Sequence, residues 1–112
     1  MTDLNELAKK TLENAKKRAS HSTNIKIDTR SMLKHCATEV VESMDAYSKM
    51  KYFPQLNKNE QEIIKEEFSS ELADIICCTL IIASNENVDI EKALLDCIEK
   101  NRKRAEGVGD KL

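Results

Sequence analysis

Four acidic side chains in two helix-forming segments are the residues of this chain best suited to chemistry. Glu39 and Glu42 stand three residues apart in TEVVESMDAY, and Glu71 and Asp74 repeat that spacing in SSELADIICC. On a helix, residues three apart share a face and have Cβ atoms roughly 5–6 Å apart, so each pair can share one cation. Carboxylates beside apolar residues need such a cation or strong hydrogen-bond donors. We therefore expect the two pairs to converge across neighbouring helices, as in the carboxylate metal sites of helical bundles.

The ligand set that these acids would form consists entirely of oxygen atoms. Such a set suits Mg²⁺, or Mn²⁺, better than Zn²⁺. Mg²⁺ keeps ligand positions open for water and phosphate oxygens, which favours phosphate chemistry. His35, one turn before Glu39, is a further candidate for substrate contact. The competing interpretation is a solvated acidic face, because acidic residues at helical spacing are common on exposed helices.

Two basic runs are candidates for local anion binding. One is Lys16-Lys17-Arg18, and the other spans residues 100–104, where Lys100, Asn101 and Arg104 combine charge with an amide. Side chains of this kind can bind a phosphate tail that a metal holds. Lys and Arg in the last turn of a helix also complement the helix dipole, so this second interpretation stays open.

Hydrophobic periodicity predicts four helices that must position these residues, over 3–19, 31–50, 60–85 and 90–103. Pro54 ends the second helix, and Asn59 with Glu62 resembles a capping box for the third. Asp89 is the expected cap of the fourth helix. The predicted core faces are Leu33, Cys36, Ala37, Val40, Met44 and Tyr47 on the second helix, and Ile90, Ala93, Leu94, Cys97 and Ile98 on the fourth.

The composition is typical of one all-α domain. The 112 residues are 40% hydrophobic and 34% charged, and they include only two Gly and one Pro. A net charge of -2 gives no reason to expect nucleic-acid binding. The longest apolar run, 75–83, is too short to cross a membrane. The N-terminus lacks an apolar signal region, so we expect a cytoplasmic protein whose four cysteines are reduced.

The ordered motifs TEVVES, SSELADIICCTLIIA and VDIEKALLDCIEKNRKR together resemble the MazG-like all-α nucleoside triphosphate pyrophosphohydrolases, particularly the small dCTP-pyrophosphatase-like members. The resemblance covers roughly residues 31–104. It implies a four-helix bundle-like MazG fold, assembled as a homodimer or homotetramer. With the length, the apolar periodicity and the two glycines near the C-terminus, we expect a single MazG-like domain over 1–112, with an amphipathic helix at 1–20, a core at 31–104 and a flexible tail at 105–112.

The activity implied by this resemblance is the Mg²⁺-dependent cleavage of a nucleoside triphosphate between its α and β phosphates. The family's metal ligands match Glu39, Glu42, Glu71 and Asp74, and either Glu39 or Glu42 would activate the attacking water. The family's phosphate contacts match Lys100, Asn101 and Arg104.

The sequence departs from the family pattern at two points. Thr38 stands where many members have another Glu, and the chain has no Trp to stack on a base. Base preference therefore stays open. Two alternatives remain beside the leading prediction: the related phosphoribosyl-ATP pyrophosphohydrolase, and a helical oligomerisation or regulatory module without catalysis.

Overall fold

The computed structural model describes residues 3–52 and 56–107, and this part of the chain is helical, without strands. Its four helices are α1 (Leu4–Ser20), α2 (Thr29–Tyr52), α3 (Lys58–Asn85) and α4 (Ile90–Ala105). The all-α prediction is confirmed. Each predicted end lies within two residues of the observed one. Pro54 and residues 108–112 of the predicted tail lie outside the described residues.

Side chains cap the helices at their beginnings. Asp89 accepts a hydrogen bond from the third backbone N–H of α4, which confirms its predicted role. The capping box of α3 lies two residues earlier than predicted, at Asn57 and Glu60 instead of Asn59 and Glu62. The Asn57 Oδ1 accepts from Glu60 N at 2.9 Å, and Glu60 Oε1 accepts from Asn57 N at 3.3 Å. This reciprocal pair satisfies two backbone donors at the start of α3.

The helices pack unequally. The main contact is between α2 and α3, α1 lies on α3, and α4 contacts the beginning of α1. Three hydrogen bonds hold α4 there: Leu4 N donates to Glu91 Oε1 at 3.3 Å, Asn5 Nδ2 donates to Asp89 Oδ1 at 2.9 Å, and Glu91 N donates to Asn5 Oδ1 at 3.3 Å. The acidic segments of α2 and α3 therefore lie on the most extensively packed helix pair.

The buried face of α2 differs from the predicted one. Leu33, Val40, Met44 and Tyr47 were expected in the core, but 43–62% of each is exposed. The structure instead buries another line of residues on α2: Met32, Glu39, Ser43 and Ala46. These residues follow a spacing of seven, four and three, which places them on one side of a helix. The prediction followed the most apolar stripe, whereas α3 packs against the adjacent side.

The apolar face of α4 is also uncovered in a single chain. Leu94 and Ile98 are about half exposed, at 48% and 56%, and no residue of α4 is buried. The buried core joins α1, α2 and α3 through Ala15, Met32, Cys78 and Ile81. The predicted inward face of α4 therefore does not contribute to the core of one chain.

Within residues 3–52 and 56–107, no helix combines the length and the apolarity that a bilayer-spanning segment needs. All four cysteines are free thiols. Cys78 is buried, Cys36 is half-buried, and Cys77 and Cys97 are exposed.

Candidate metal centre

Carboxylates from α2 and α3 meet where the two helices pack. Glu39 and Glu42 on α2 and Glu71 on α3 each place a carboxylate oxygen so that all three atoms lie within 4.8 Å of one another. The three residues are hereafter called the acidic cluster. Three oxygen ligands at such spacing can share one divalent cation. The predicted convergence of the two acidic segments is thus present in the structure for these three residues.

Glu39 is the most buried member of the cluster. Only 7% of its surface is exposed, because it lies on the side of α2 that packs against α3. Its Oε1 is 3.0 Å from His35 Nε2, one helical turn earlier. The His35 ring therefore orients this carboxylate.

Burial and neighbouring charge act on Glu39 in the same direction. The pKa of Glu39 is raised from 4.5 to about 7, first because burial penalises its charged form. The adjacent Glu71 carboxylate and the negative charges of Glu42 and Asp74 raise it further. Without a cation, the buried site thus favours a proton on Glu39 near neutral pH.

Two buried oxygen atoms of the cluster support cation binding. Glu39 Oε2 and Glu71 Oε2 have no hydrogen-bond partner among the described residues. A buried carboxylate oxygen without a partner is costly, and a divalent cation would satisfy both atoms and offset the repulsion between the acids. The residues present therefore fit Mg²⁺ or Mn²⁺, whose ligands are oxygens.

Asp74 lies at the margin of the acidic cluster. It is exposed and does not belong to the group of oxygens within 4.8 Å. Its charge nevertheless raises the pKa of Glu39, and its side chain lines the cavity beside the cluster. Asp74 therefore contributes negative charge beside the three clustered acids without belonging to their group.

The structure does not bring the basic residues of α4 to the acidic cluster within one chain. Among the described residues, Lys100, Asn101 and Arg104 neither line the neighbouring cavity nor contribute to the pKa of Glu39. Asn101 Nδ2 contacts Cys97 Sγ at 3.8 Å, one turn earlier on the same helix. Their predicted phosphate contacts stay a prediction that a single chain does not test.

A cavity of about 660 Å³ adjoins the cluster and brings in residues that the sequence did not connect with it. Arg18, Lys26 and Lys34 line this cavity, together with His35 and Glu39. Arg18 ends the first basic run, which is the only signal in the sequence that pointed to anion binding here. The sequence did not identify Lys26 and Lys34 as site residues, because their proximity to the acids depends on how the α1–α2 connection folds.

Cys78 lies in the core beside the acidic cluster and has no chemical role there. Burial raises the pKa of its thiol to about 12, and the nearby Cys36, Glu39 and Asp74 act in the same direction. The thiol therefore remains protonated and packs as a small apolar group.

Comparison of the chain with protein-family models, with curated proteins and with solved structures found no match.

Proposed function

We propose that this protein is a Mg²⁺-dependent nucleoside triphosphate pyrophosphohydrolase, related to the MazG-like enzymes that its motifs resemble. The observation that carries the proposal is the acidic cluster with its two buried, unpartnered oxygens, Glu39 Oε2 and Glu71 Oε2. Buried carboxylate oxygens without a partner destabilise a fold unless a cation or a proton compensates their charge. A cation held by carboxylates with an adjoining open cavity is suited to binding phosphate oxygens.

In the proposed reaction, a water molecule forms a bond to the α-phosphorus of the nucleotide. The bond from that phosphorus to the oxygen bridging the α and β phosphates breaks, and pyrophosphate leaves with the electron pair. Glu39 or Glu42 accepts the proton of the water, and His35 holds the Glu39 carboxylate in position through the 3.0 Å contact. Bound Mg²⁺ would supply charge neutralisation for the phosphates, and Glu39, Glu42 and Glu71 would hold it.

A homodimer or homotetramer belongs to the same proposal. Val41, Met44, Ile76 and Leu95 are 57–62% exposed, on three helices of a chain whose buried core is small. Exposed apolar side chains in such number favour association, and a second copy of the same chain is the simplest partner. A second copy could also bring its Lys100 and Asn101 towards the acidic cluster, whose adjoining cavity these residues do not line within one chain.

The function is tested by incubating the purified protein with Mg²⁺ and a panel of NTPs, dNTPs and phosphoribosyl-ATP. We expect a nucleoside monophosphate and pyrophosphate in equal amounts, identified by ³¹P NMR. Glu42→Gln is the inactive control, and Glu13→Gln, an exposed acid on α1, is the matched control that keeps full activity. A panel that yields no pyrophosphate from any nucleotide contradicts the proposal. Sedimentation of the native protein as a monomer contradicts the proposed assembly.

A further inference from the structure

The cavity beside the acidic cluster is lined by apolar core residues on one side and by acidic residues on another. It lies between α1, the α1–α2 connection and the α2–α3 pair, and its volume of about 660 Å³ is in the range of small-molecule sites. Met32 and Ile81 from the core form part of its inner wall. Glu39 and Asp74 line the side that faces the acidic cluster. A molecule in this cavity would thus extend away from the cluster towards the α1–α2 connection.

Three cations line the same cavity: Arg18 at the end of α1, Lys26 in the connection, and Lys34 on α2. None of the three forms a salt bridge with a carboxylate in residues 3–52 or 56–107, although the charge of Lys26 helps to lower the pKa of Asp28. Positive side chains that line one cavity outside any salt bridge attract an anionic group.

The part of a nucleotide that these cations can bind is determined by where the substrate carries charge. All negative charge of a nucleoside triphosphate lies on its phosphates, whereas the base and sugar are neutral. Bases are commonly held by stacking on aromatic rings, and no Phe, Tyr or Trp is present among the described residues that line the cavity; the His35 ring lines it but contacts Glu39 through Nε2. The charge of the cavity therefore matches the phosphate chain better than the nucleoside.

On the basis of the proposed function, we infer that this cavity binds the β- and γ-phosphates, and that Arg18, Lys26 and Lys34 hold the departing pyrophosphate. The α-phosphate then lies at the acidic cluster, and the nucleoside points out of the cavity. In the cleavage step, the bridging oxygen takes the electron pair of the broken bond, and the three cations offset the charge that develops on it. The enzyme is then selective for the number of phosphates and discriminates weakly between bases.

The cavity offers a measurement of binding that does not depend on turnover. Cys77 lines the cavity and is exposed, so its rate of alkylation by iodoacetamide reports occupancy. Cys97 on α4 is exposed outside the cavity and serves as the internal reference. We expect inorganic pyrophosphate with Mg²⁺ to slow alkylation of Cys77 and leave that of Cys97 unchanged, as measured by mass spectrometry of the peptides.

The variants Arg18→Gln and Lys34→Gln test the role of the cations. Each removes one charge-assisted contact, so the pyrophosphate concentration needed for half protection of Cys77 is expected to rise roughly tenfold. Lys10→Gln, an exposed change on α1 outside the cavity, is the matched control and should bind as the native protein does. Both cavity residues are exposed, so their replacement leaves the core intact.

Two results would overturn the inference while leaving the proposed function standing. One is equal protection of Cys77 in the native protein and in both cavity variants. The other is a change in base preference upon replacing Arg18 or Lys34, which would identify the cavity as the nucleoside site. Protection that depends on the cations in a protein without nucleotide hydrolysis supports the anion site and rejects the proposed function alone.

Discussion

Replacing Glu39 by Gln separates the electrostatic cost of the acidic cluster from its capacity to bind a cation. The pKa of Glu39 is raised from 4.5 to about 7, mainly by burial, and each pKa unit corresponds to about 1.36 kcal/mol. The ionised side chain thus lowers the free energy of unfolding by about 3 kcal/mol relative to its protonated form. A Gln side chain has no charge to desolvate, and its amide oxygen can still accept the hydrogen bond from His35 Nε2.

The size of the stability difference between Glu39→Gln and the native protein depends on pH. Because the pKa of Glu39 is higher in the folded chain, its favourable contribution is complete below about pH 4.5 and is lost as the pH rises through about 7. In EDTA at pH 8, we therefore expect Glu39→Gln to be more stable than the native protein by up to about 3 kcal/mol. The difference should shrink as the pH falls towards 5. Urea unfolding followed by circular dichroism at several pH values measures it.

Addition of Mg²⁺ should reverse the order of stability. The native protein gains RT ln(1 + [Mg²⁺]/Kd), about 4.1 kcal/mol at a thousandfold excess over Kd, which exceeds its deficit of about 3 kcal/mol in EDTA, whereas Glu39→Gln has lost a ligand and gains less. The matched control is Glu13→Gln, which removes an exposed charge on α1 and should follow the native protein in both buffers. If Glu39→Gln is no more stable than the native protein in EDTA at pH 8, the electrostatic account of the cluster is wrong.

Three further outcomes follow from individual contacts. Glu42→Gln and Asp74→Asn should each abolish nucleotide turnover with an unchanged circular dichroism spectrum, and full activity in both would remove these acids from the mechanism. Asn57→Ala should lower the free energy of unfolding by about 1 kcal/mol in a urea titration, because α3 loses its capping box. Cys97 should react with a thiol reagent in the native protein, whereas Cys78, with its pKa raised to about 12, should react only after unfolding. Equal labelling of the two thiols in native protein would contradict the buried position of Cys78.

The helices could be predicted from the sequence because their determinants are local. Helical periodicity, the scarcity of Gly and Pro, and the cap at Asp89 all act within a few residues of where they stand. The capping box was placed two residues late because Asn57 and Asn59 stand in equivalent patterns, each with Glu three residues on. The structure shows that the chain enters α3 in the extended conformation at Asn57, with φ of -69° and ψ of 170°.

The acidic cluster was also predictable because its spacing is local, whereas the cavity was not predictable from the sequence. The spacing of Glu39 and Glu42 fixes them on one side of α2, and an antiparallel neighbour with the same spacing can meet them. Arg18, Lys26 and Lys34 instead come from one helix end, one connection and a second helix. Their convergence depends on tertiary packing, which periodicity along a single helix does not report.

The error in the buried face of α2 has a physical cause that bears on function. The stripe that includes Val40 and Met44 is the most apolar side of this helix, yet the structure covers the adjacent side, which carries Glu39. A hydrophobic stripe identifies a surface that avoids water, and a second chain can cover it as well as a second helix can. On this view α2 serves two contacts at once, holding Glu39 against α3 on one side and presenting apolar residues to a partner on the other. Covering that stripe would restrain α2, so in the proposed assembly the geometry of the acidic cluster and the contact between chains would depend on the same helix.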